Sequence, residues 1–158
     1  MYQTIGHQII PLYAQCMDIP LYRNTINGTS IRISLDYDET TNDEVEDLFI
    51  LLSKVKKAHP DIQGVSVGAI LSNYQRIRVE NVCQRLGLTS ISYLWQRNQS
   101  KLLEEMIHDK MDCILVKVAA LGLKSSHLGK YLKEMQGHLE NLNAKYGLHV
   151  CGEGNKLL

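Results

Sequence analysis

The stretch GAILSNYQRIRVENVC, residues 68–83, contains the end of a predicted strand, a turn and the start of a predicted helix. Ser72 is followed three residues later by Gln75, which is the spacing of a capping box, so we expect the helix to begin directly after Ser72. Apolar side chains then recur at helical spacing and predict a buried face. They are Val79, Val82, Cys83 and Leu86.

Polar side chains crowd this junction between strand and helix. A helix N-terminus at the carboxyl end of a parallel strand binds anions readily, and ligands of open α/β sheets bind at this edge. Arg76 and Arg78 add positive charge, and a guanidinium group matches phosphate geometry. The pattern therefore predicts an anion site. One alternative stays open, in which these residues form a solvated helix face and Arg76 pairs with Glu80 four positions later.

Helices and strands are predicted to alternate outward from this junction. The predicted helices cover residues 2–17, 43–59, 73–86, 98–110 and 127–147. The predicted strands cover 20–26, 64–71, 91–94, part of 112–123, and 148–154, with a loop over 27–42. This order predicts an α/β protein with a mostly parallel sheet and flanking helices. The apolar rhythm breaks near residues 95–98, which predicts domains at 1–96 and 97–158.

Four finer expectations follow from single residues. Pro11 is expected to kink or split the first helix, and Asn42 is expected to cap the second. The acidic residues of 36–47 are expected to be a solvated loop and helix start rather than a metal site. Lys117 lies within a predicted buried strand, so it either binds an anionic group or extends from the strand end to water.

The composition describes an ordinary globular chain of 158 residues with zero formal net charge, so it gives no sign of a nucleic-acid partner. No apolar run reaches the roughly 20 residues of a membrane helix, and we expect no secretory leader. The four cysteines form no CxxC pair, and the six histidines show no metal spacing, so we expect reduced thiols and no metal. A complete phosphate loop of the GxxxxGK[ST] kind is also missing.

The segment CGEG, residues 151–154, is the second candidate for a binding function. Gly152 and Gly154 would let the backbone approach a ligand closely, and Glu153 is a candidate acid. The alternative is a frayed terminus.

Several long stretches resemble the diphthine–ammonia ligase family, in the order in which that family has them. They are MYQTIGHQ (1–8), PLYRNTINGTS (20–30), DEVEDLF (43–49), GAILSNYQRIRVENVCQRLGL (68–88), LWQRNQSKLLEEMI (94–107), KVAALGL (117–123), HLGKYLKEM (127–135) and YGLHVCGEG (146–154). The resemblance runs essentially from end to end of the chain.

The resemblance implies a fold and a reaction. The fold would be a partial ATP-pyrophosphatase domain of the adenine-nucleotide α-hydrolase type, without its first strand, followed by part of a smaller C-terminal α/β substrate domain. The reaction would be amidation of diphthine in elongation factor 2 to diphthamide, with ATP and ammonium as co-substrates and magnesium as the expected companion of ATP. An adenylate would form with loss of pyrophosphate, and ammonia would then displace AMP.

The resemblance also implies roles for residues in both predicted domains. Catalytic work is assigned to Arg76 and Arg78, for anion contact, and to Glu153, for positioning or acid–base chemistry. Binding of the nucleotide or substrate is assigned to Gly68, Ser72, Tyr74, Glu80, Gly152 and Gly154. A cytoplasmic location is implied, and whether the chain forms homo-oligomers is left open.

The chain departs from the family pattern at several positions. The family's glycine-serine loop SGGKDS has no counterpart in this sequence, and the GEGGEYE motif is matched only as far as Gly154. Asn73 and Asn98 stand where the family more often has aspartate. These departures keep a second hypothesis open, in which the chain is a non-catalytic isoform or relative that binds nucleotide or elongation factor 2.

Overall fold

A computed structural model of the chain describes residue 2 and residues 5–152. The chain divides into two compact units, Met1–Trp95 and Gln96–Leu158. The helices are α1 (Ile10–Met17), α2 (Glu44–Ala58), α3 (Asn73–Arg85), α4 (Gln99–His108) and α5 (Leu132–Tyr146), and the strands are β1 (Gly64–Ser66) and β2 (Thr89–Ile91). Short 3-10 turns cover His7–Ile9 and Ser125–His127.

A parallel two-stranded sheet forms the centre of the first unit. Gly64 pairs with Thr89 and Ser66 pairs with Ile91, and α3 connects the two strands. Helices joined to parallel strands in this way confirm the α/β class. Strand β1 is shorter than the predicted 64–71, since its ladder ends at Ser66, although the Val67 N–H still donates to the Ile91 carbonyl at 2.9 Å. The strand predicted over 91–94 lies instead at Thr89–Ile91 and shares only Ile91 with the prediction.

The first unit contains two clusters of buried side chains, and Val65 of β1 packs against one of them. Tyr37, Val45 and Val82 form one cluster, between the loop before α2 and the faces of α2 and α3. The other contains Val79, Cys83 and Leu88. The apolar face predicted for α3 is therefore confirmed, since its members lie in or against these two clusters.

The N-cap of helix α2 lies one residue later than predicted. Asp43, not Asn42, is the N-cap, because the Asp43 carboxylate accepts a hydrogen bond from the Val45 N–H at 3.0 Å. Asn42 instead adopts a left-handed backbone conformation with φ 65°. Acidic side chains in the first turn and Lys56 and Lys57 in the last turn complement the helix dipole.

The segment before residue 36 differs most from the prediction. The predicted helix over 2–17 is a 3-10 turn followed by α1, and Pro11 lies in the first turn of α1, where its missing N–H costs nothing. The predicted helix is therefore split next to Pro11, at the junction of the 3-10 turn and α1, rather than kinked. The strand predicted over 20–26 was wrong, since those residues belong to no ladder in the described chain.

The second unit is built on α4 and α5. Leu103, from α4, and Met135, Leu139 and Leu142, from α5, form a buried apolar cluster that Leu148 and Val150 complete. Asn98 caps α4 by accepting from the Lys101 N–H at 3.0 Å. Gly147 ends α5 in a left-handed conformation with φ 68°.

The strands predicted for the second unit were wrong within the described residues. Segment 112–123 forms only an isolated bridge, between Ile114 and Tyr131, and residues 148–152 form a turn. Lys117 is exposed in this irregular segment, so it is not a lysine buried in a strand. Over residues 2 and 5–152, no helix has the length and apolar character needed to cross a membrane.

Candidate functional site

The junction between β1 and α3 has the local geometry that the sequence predicted. Ser72 is the N-cap of α3, and its hydroxyl accepts a hydrogen bond from the Gln75 N–H at 3.3 Å. The backbone of Ser72 is extended, with φ −78° and ψ 93°, so the chain turns sharply into the helix there. Residues 67–72 connect β1 to α3, whose first-turn N–H groups have no partner within the helix except through such a cap.

A cavity of about 360 Å³ opens beside this junction. Residues of α2, of β1 and the turn after it, and of α3 form its walls. They are Tyr2, Leu48, Leu52, Val65, Ser66, Val67, Gly68, Ala69, Gln75 and Val79. No charged side chain occurs among these described lining residues, so the cavity suits a flat apolar group with a few hydrogen-bonding atoms better than it suits an anion.

Arg76 points along α3 and is held by three side chains. Its guanidinium group donates to the two Glu80 carboxylate oxygens at 2.9 and 3.0 Å and to the Asn73 Oδ1 at 3.2 Å. It also lies 4.9 Å from the centroid of the Trp95 ring. The ion pair of the alternative interpretation is therefore present. Anion contact by Arg76 and ligand contact by Glu80 stay predictions.

Arg78 is fully buried, with 0% of its surface exposed. Its guanidinium group donates to the carbonyl of Tyr74 at 3.1 Å, to that of Ser34 at 3.0 Å, and to that of Arg32. The guanidinium carbon lies 3.4 Å from the Tyr74 ring centroid. Anion contact by Arg78 stays a prediction, and the observed contacts fasten residues 32–34 to α3.

Tyr74 helps to hold the same loop. Its hydroxyl lies 2.8 Å from the Ser30 hydroxyl and donates to the Arg32 carbonyl at 3.4 Å. The ring covers one face of the Arg78 guanidinium group, so Tyr74 and Arg78 act on the loop together. Nucleotide binding by Tyr74 stays a prediction.

Asp43 and Asp47 are buried residues that sequence reasoning missed, since they were expected to be solvated. One Asp43 oxygen accepts from the Ile31 and Arg32 N–H groups at 3.0 and 2.9 Å, in addition to the cap on Val45. Asp47 accepts from the N–H groups of residues 27 and 28 at 2.8 Å. The signal that could have identified them is a capping aspartate with a second one four residues later.

The charge of Asp43 is stabilised despite its burial. Burial alone would raise the pKa of the carboxyl, but the Arg32, Val45 and Ile31 N–H donors and the charge of Arg78 outweigh it and hold the pKa below its ordinary value. Asp43 is therefore an ionised buried group that fixes the loop in front of α2, while Arg78 fixes the same loop from α3.

The second predicted constellation lies in the other unit. Gly152 has φ 77°, and its N–H donates to the His149 carbonyl at 3.0 Å. Glu153 and Gly154 lie outside the described residues. Within the described residues, no group of three or more His, Cys, Asp and Glu side chains could hold a metal ion.

Comparison with known proteins defines the class to which this fold and site belong. Residues 1–90 match the family model of the diphthamide synthase N-terminal domain, and residues 98–157 match that of its C-terminal domain. The chain belongs to the diphthamide synthase family, which confirms the resemblance seen in the sequence.

Relatives carry a more particular name, diphthine–ammonia ligase. The chain is 57% identical to the ligase of Schizosaccharomyces pombe over 99% of its own length and 26% of that protein. It is 57% identical to the Rattus norvegicus ligase and 55% identical to the Homo sapiens ligase, in each case over 99% of the chain and 58% of the relative. The chain thus spans between about a quarter and three fifths of the relatives that it matches.

Proposed function

We propose that this chain forms part of a diphthine–ammonia ligase, which converts diphthine in elongation factor 2 to diphthamide. The observation that supports the proposal most strongly is the identity of 55–57% to several proteins of that name across 99% of the chain. The chain also matches the models of both domains of the family. A change of reaction class between chains this similar would be unusual.

The proposed reaction consumes ATP and ammonium. The diphthine carboxylate attacks the α-phosphorus of ATP, the bond to the β-phosphate breaks, and pyrophosphate leaves with its electron pair. Ammonia then attacks the carbonyl carbon of the adenylate, AMP leaves, and one proton is lost to give the amide. Such a reaction depends mainly on alignment and charge stabilisation, so no protein nucleophile is needed.

The cavity beside β1 is the proposed site of the adenine ring. Its aliphatic walls, including Leu48, Val65 and Val79, offer surfaces against which a flat base can pack. Gln75 and Ser66 lie in the same lining and offer amide and hydroxyl groups for the ring nitrogens. Gly68 leaves the approach open, because a Cβ at that position would meet no atom within 4 Å.

The phosphates require charge that the cavity lining lacks. In our proposal Arg76 supplies part of it by exchanging its contact with Glu80 for a phosphate oxygen, since a half-exposed pair four residues apart on a helix contributes little stability. Magnesium would accompany the ATP phosphates. Arg78 and Tyr74 act as positioning residues that hold residues 32–34 against α3. Gly152, Glu153 and Gly154 would contribute from the second domain, which we assign to the protein substrate.

A direct test combines two products in one assay. The purified chain is incubated with ATP, ammonium and elongation factor 2 that carries diphthine, and AMP and the amide are quantified together. We expect one AMP for each diphthamide formed. A reaction without ammonium and a reaction without ATP serve as controls, and neither should give either product. We also propose a cytoplasmic location, and fractionation of cells followed by detection of the native chain tests it.

Other outcomes separate the competing proposals. Amide without AMP would contradict the adenylate route. Neither product, with ATP binding retained in equilibrium dialysis, would favour the non-catalytic binding protein. Neither product and no ATP binding by a chain that unfolds cooperatively would contradict a nucleotide site in these residues.

A further inference from the structure

Two histidine rings of the second unit, neither of them assigned to the proposed reaction, contact each other. The centroids of the His127 and His138 rings are 4.6 Å apart, and the ring planes are tilted by 56°. His127 lies in the 3-10 turn before α5, and His138 lies on α5 itself. Both side chains are half-buried, and Lys124 and Lys130 on either side of His127 are exposed.

Backbone hydrogen bonds determine which nitrogens of these rings can donate. The Lys124 N–H donates to Nδ1 of His127 at 3.1 Å, so in the neutral ring the proton is on Nε2. His138 donates from Nε2 to the Gly122 carbonyl at 3.2 Å. His127 therefore presents an N–H donor rather than a lone pair, which suits an oxygen acceptor and does not suit a metal ion.

The loop that holds His138 in this way depends on a glycine. Gly122 has φ 88°, and a Cβ at this position would lie 2.3 Å from Cδ2 of Leu142 on α5. This close approach of loop and helix brings the Gly122 carbonyl to His138, so the ring orientation is built into the packing of the unit.

Positive charges converge on His127. Partial burial lowers the pKa of its ring, and the charges of His138, Lys130 and Lys124 lower it further. The two lysines are permanent positive charges at neutral pH, and no acidic side chain is among the causes of the shift at His127.

We infer that His127, His138, Lys124 and Lys130 form a binding site for a phosphoryl or sulfate-type dianion. Its oxygens would accept from the His127 Nε2–H and from the two lysine ammonium groups, all charge-assisted or strongly polar contacts. A protonated His138 would add a further positive charge. The site stands independently of the proposed ligase function.

The test is an NMR titration of the full chain, which follows the six histidine rings through their long-range ¹H–¹⁵N correlations. Sodium sulfate serves as the probe because it remains a dianion between roughly pH 5 and 8, and sodium chloride keeps the ionic strength constant. We expect saturable shifts at His127 and His138 and a rise in the pKa of His127. Affinity should then increase as the pH falls, because the dianion favours the protonated ring.

Two pairs of variants make the result specific. Lys124→Ala with Lys130→Ala should weaken sulfate binding by about tenfold or more, the effect of losing charge-assisted contacts. The control, Lys101→Ala with Lys145→Ala, removes the same charge from exposed positions on α4 and α5 and should leave binding unchanged. His127→Gln keeps an N–H donor without the titration, so it should retain binding and lose much of the pH dependence.

A second series identifies the source of the anion. Inorganic phosphate and AMP are titrated in place of sulfate, and tighter binding of AMP assigns the site to a phosphate ester, whereas equal or weaker binding assigns it to the free anion. Equal, unsaturable shifts at all histidines would overturn the inference, as would an equal loss of affinity in both lysine pairs.

Discussion

The largest fully buried side chain of the first unit is an arginine, Arg78, whereas in the second unit it is a leucine, Leu103. The other buried polar side chains described in the first unit are Asp43 and Asp47, and its apolar clusters are small. Around Leu103 a single larger cluster joins α4, α5 and the turn after α5. Polar contacts therefore specify a loop in the first unit, while apolar packing specifies helices in the second. That loop, residues 31–43, lies next to the start of α3, where the candidate site begins.

Replacement of Arg78 is expected to have the largest effect on the difference between the polar first unit and the apolar second unit. Arg78→Ala removes donors from three carbonyls and leaves the Asp43 charge without its cation. Loss of one partner from a buried charged network costs about 3 to 5 kcal/mol. Hydrogen exchange should show lower protection in α2 and α3 and unchanged protection in α4 and α5. Arg23→Ala, at an exposed arginine of the same unit, should change stability by less than about 0.5 kcal/mol.

Equal loss of protection in both units would contradict the contrast, because it would mean that they unfold as one cooperative body.

Leu103→Ala is the corresponding change in the second unit. Leu103 has 0% exposure, and truncation of such a residue costs about 2 to 5 kcal/mol through lost burial and the cavity left behind. Protection of backbone amides from hydrogen exchange should fall in α4 and α5 alone. Leu128→Ala, at a leucine of the same unit that is 46% exposed, is the matched control and should have an effect several times smaller. A similar effect of both substitutions would show that the cluster around Leu103 is not the core of the unit.

The charge of Asp43 should make the stability of the first unit, and not that of the second, depend on pH. Its folded-state pKa is lowered, so ionised Asp43 stabilises the fold above its unfolded pKa of about 3.9, and this stability is lost as the pH falls through the folded value. Asp43→Asn should cost about 1 to 3 kcal/mol at neutral pH, and the difference from the parent should shrink below roughly pH 4. Urea unfolding of both proteins between pH 3 and 7 measures this. A difference that stays constant over that range would rule out an ionised Asp43.

The smallest expected effect is at the cap of α3. Ser72→Ala removes the acceptor of the Gln75 N–H and should cost about 1 kcal/mol, whereas Ser72→Asp restores an acceptor and should recover most of it. Thermal unfolding of the three proteins compares them. If the alanine and aspartate variants are equally destabilised, the Ser72 hydroxyl does not cap the helix.

Local signals in the sequence predicted the helices well and the strands poorly. Ser72 marks a helix start through a contact within three residues, so its role could be read directly from the sequence. Asn98 caps α4 in the same way, although its capping role was not predicted. A strand exists only if another segment pairs with it. The apolar residues of 20–26 and 112–123 looked like strands, but no ladder partner is present for either in the described chain.

The same distinction explains what was missed at the site. The Arg76–Glu80 pair has a spacing of four residues and was foreseen as an alternative. The contacts of Arg78 with the carbonyls of residues 32 and 34 span 46 and 44 positions, and the burial of Asp43 depends on the same loop. No periodicity within either segment could indicate that these residues would meet.

The central claim is that the cavity beside β1 receives the adenine ring of ATP, and photolabelling tests it most directly. The chain is irradiated with 2-azido-ATP, digested, and the labelled peptides are identified by mass spectrometry, with excess ATP as competitor. Our account predicts ATP-protected label on peptides that contain residues 48–52 or 65–75, from the cavity walls. Label confined to residues 96–152, or label that ATP does not displace, would contradict it.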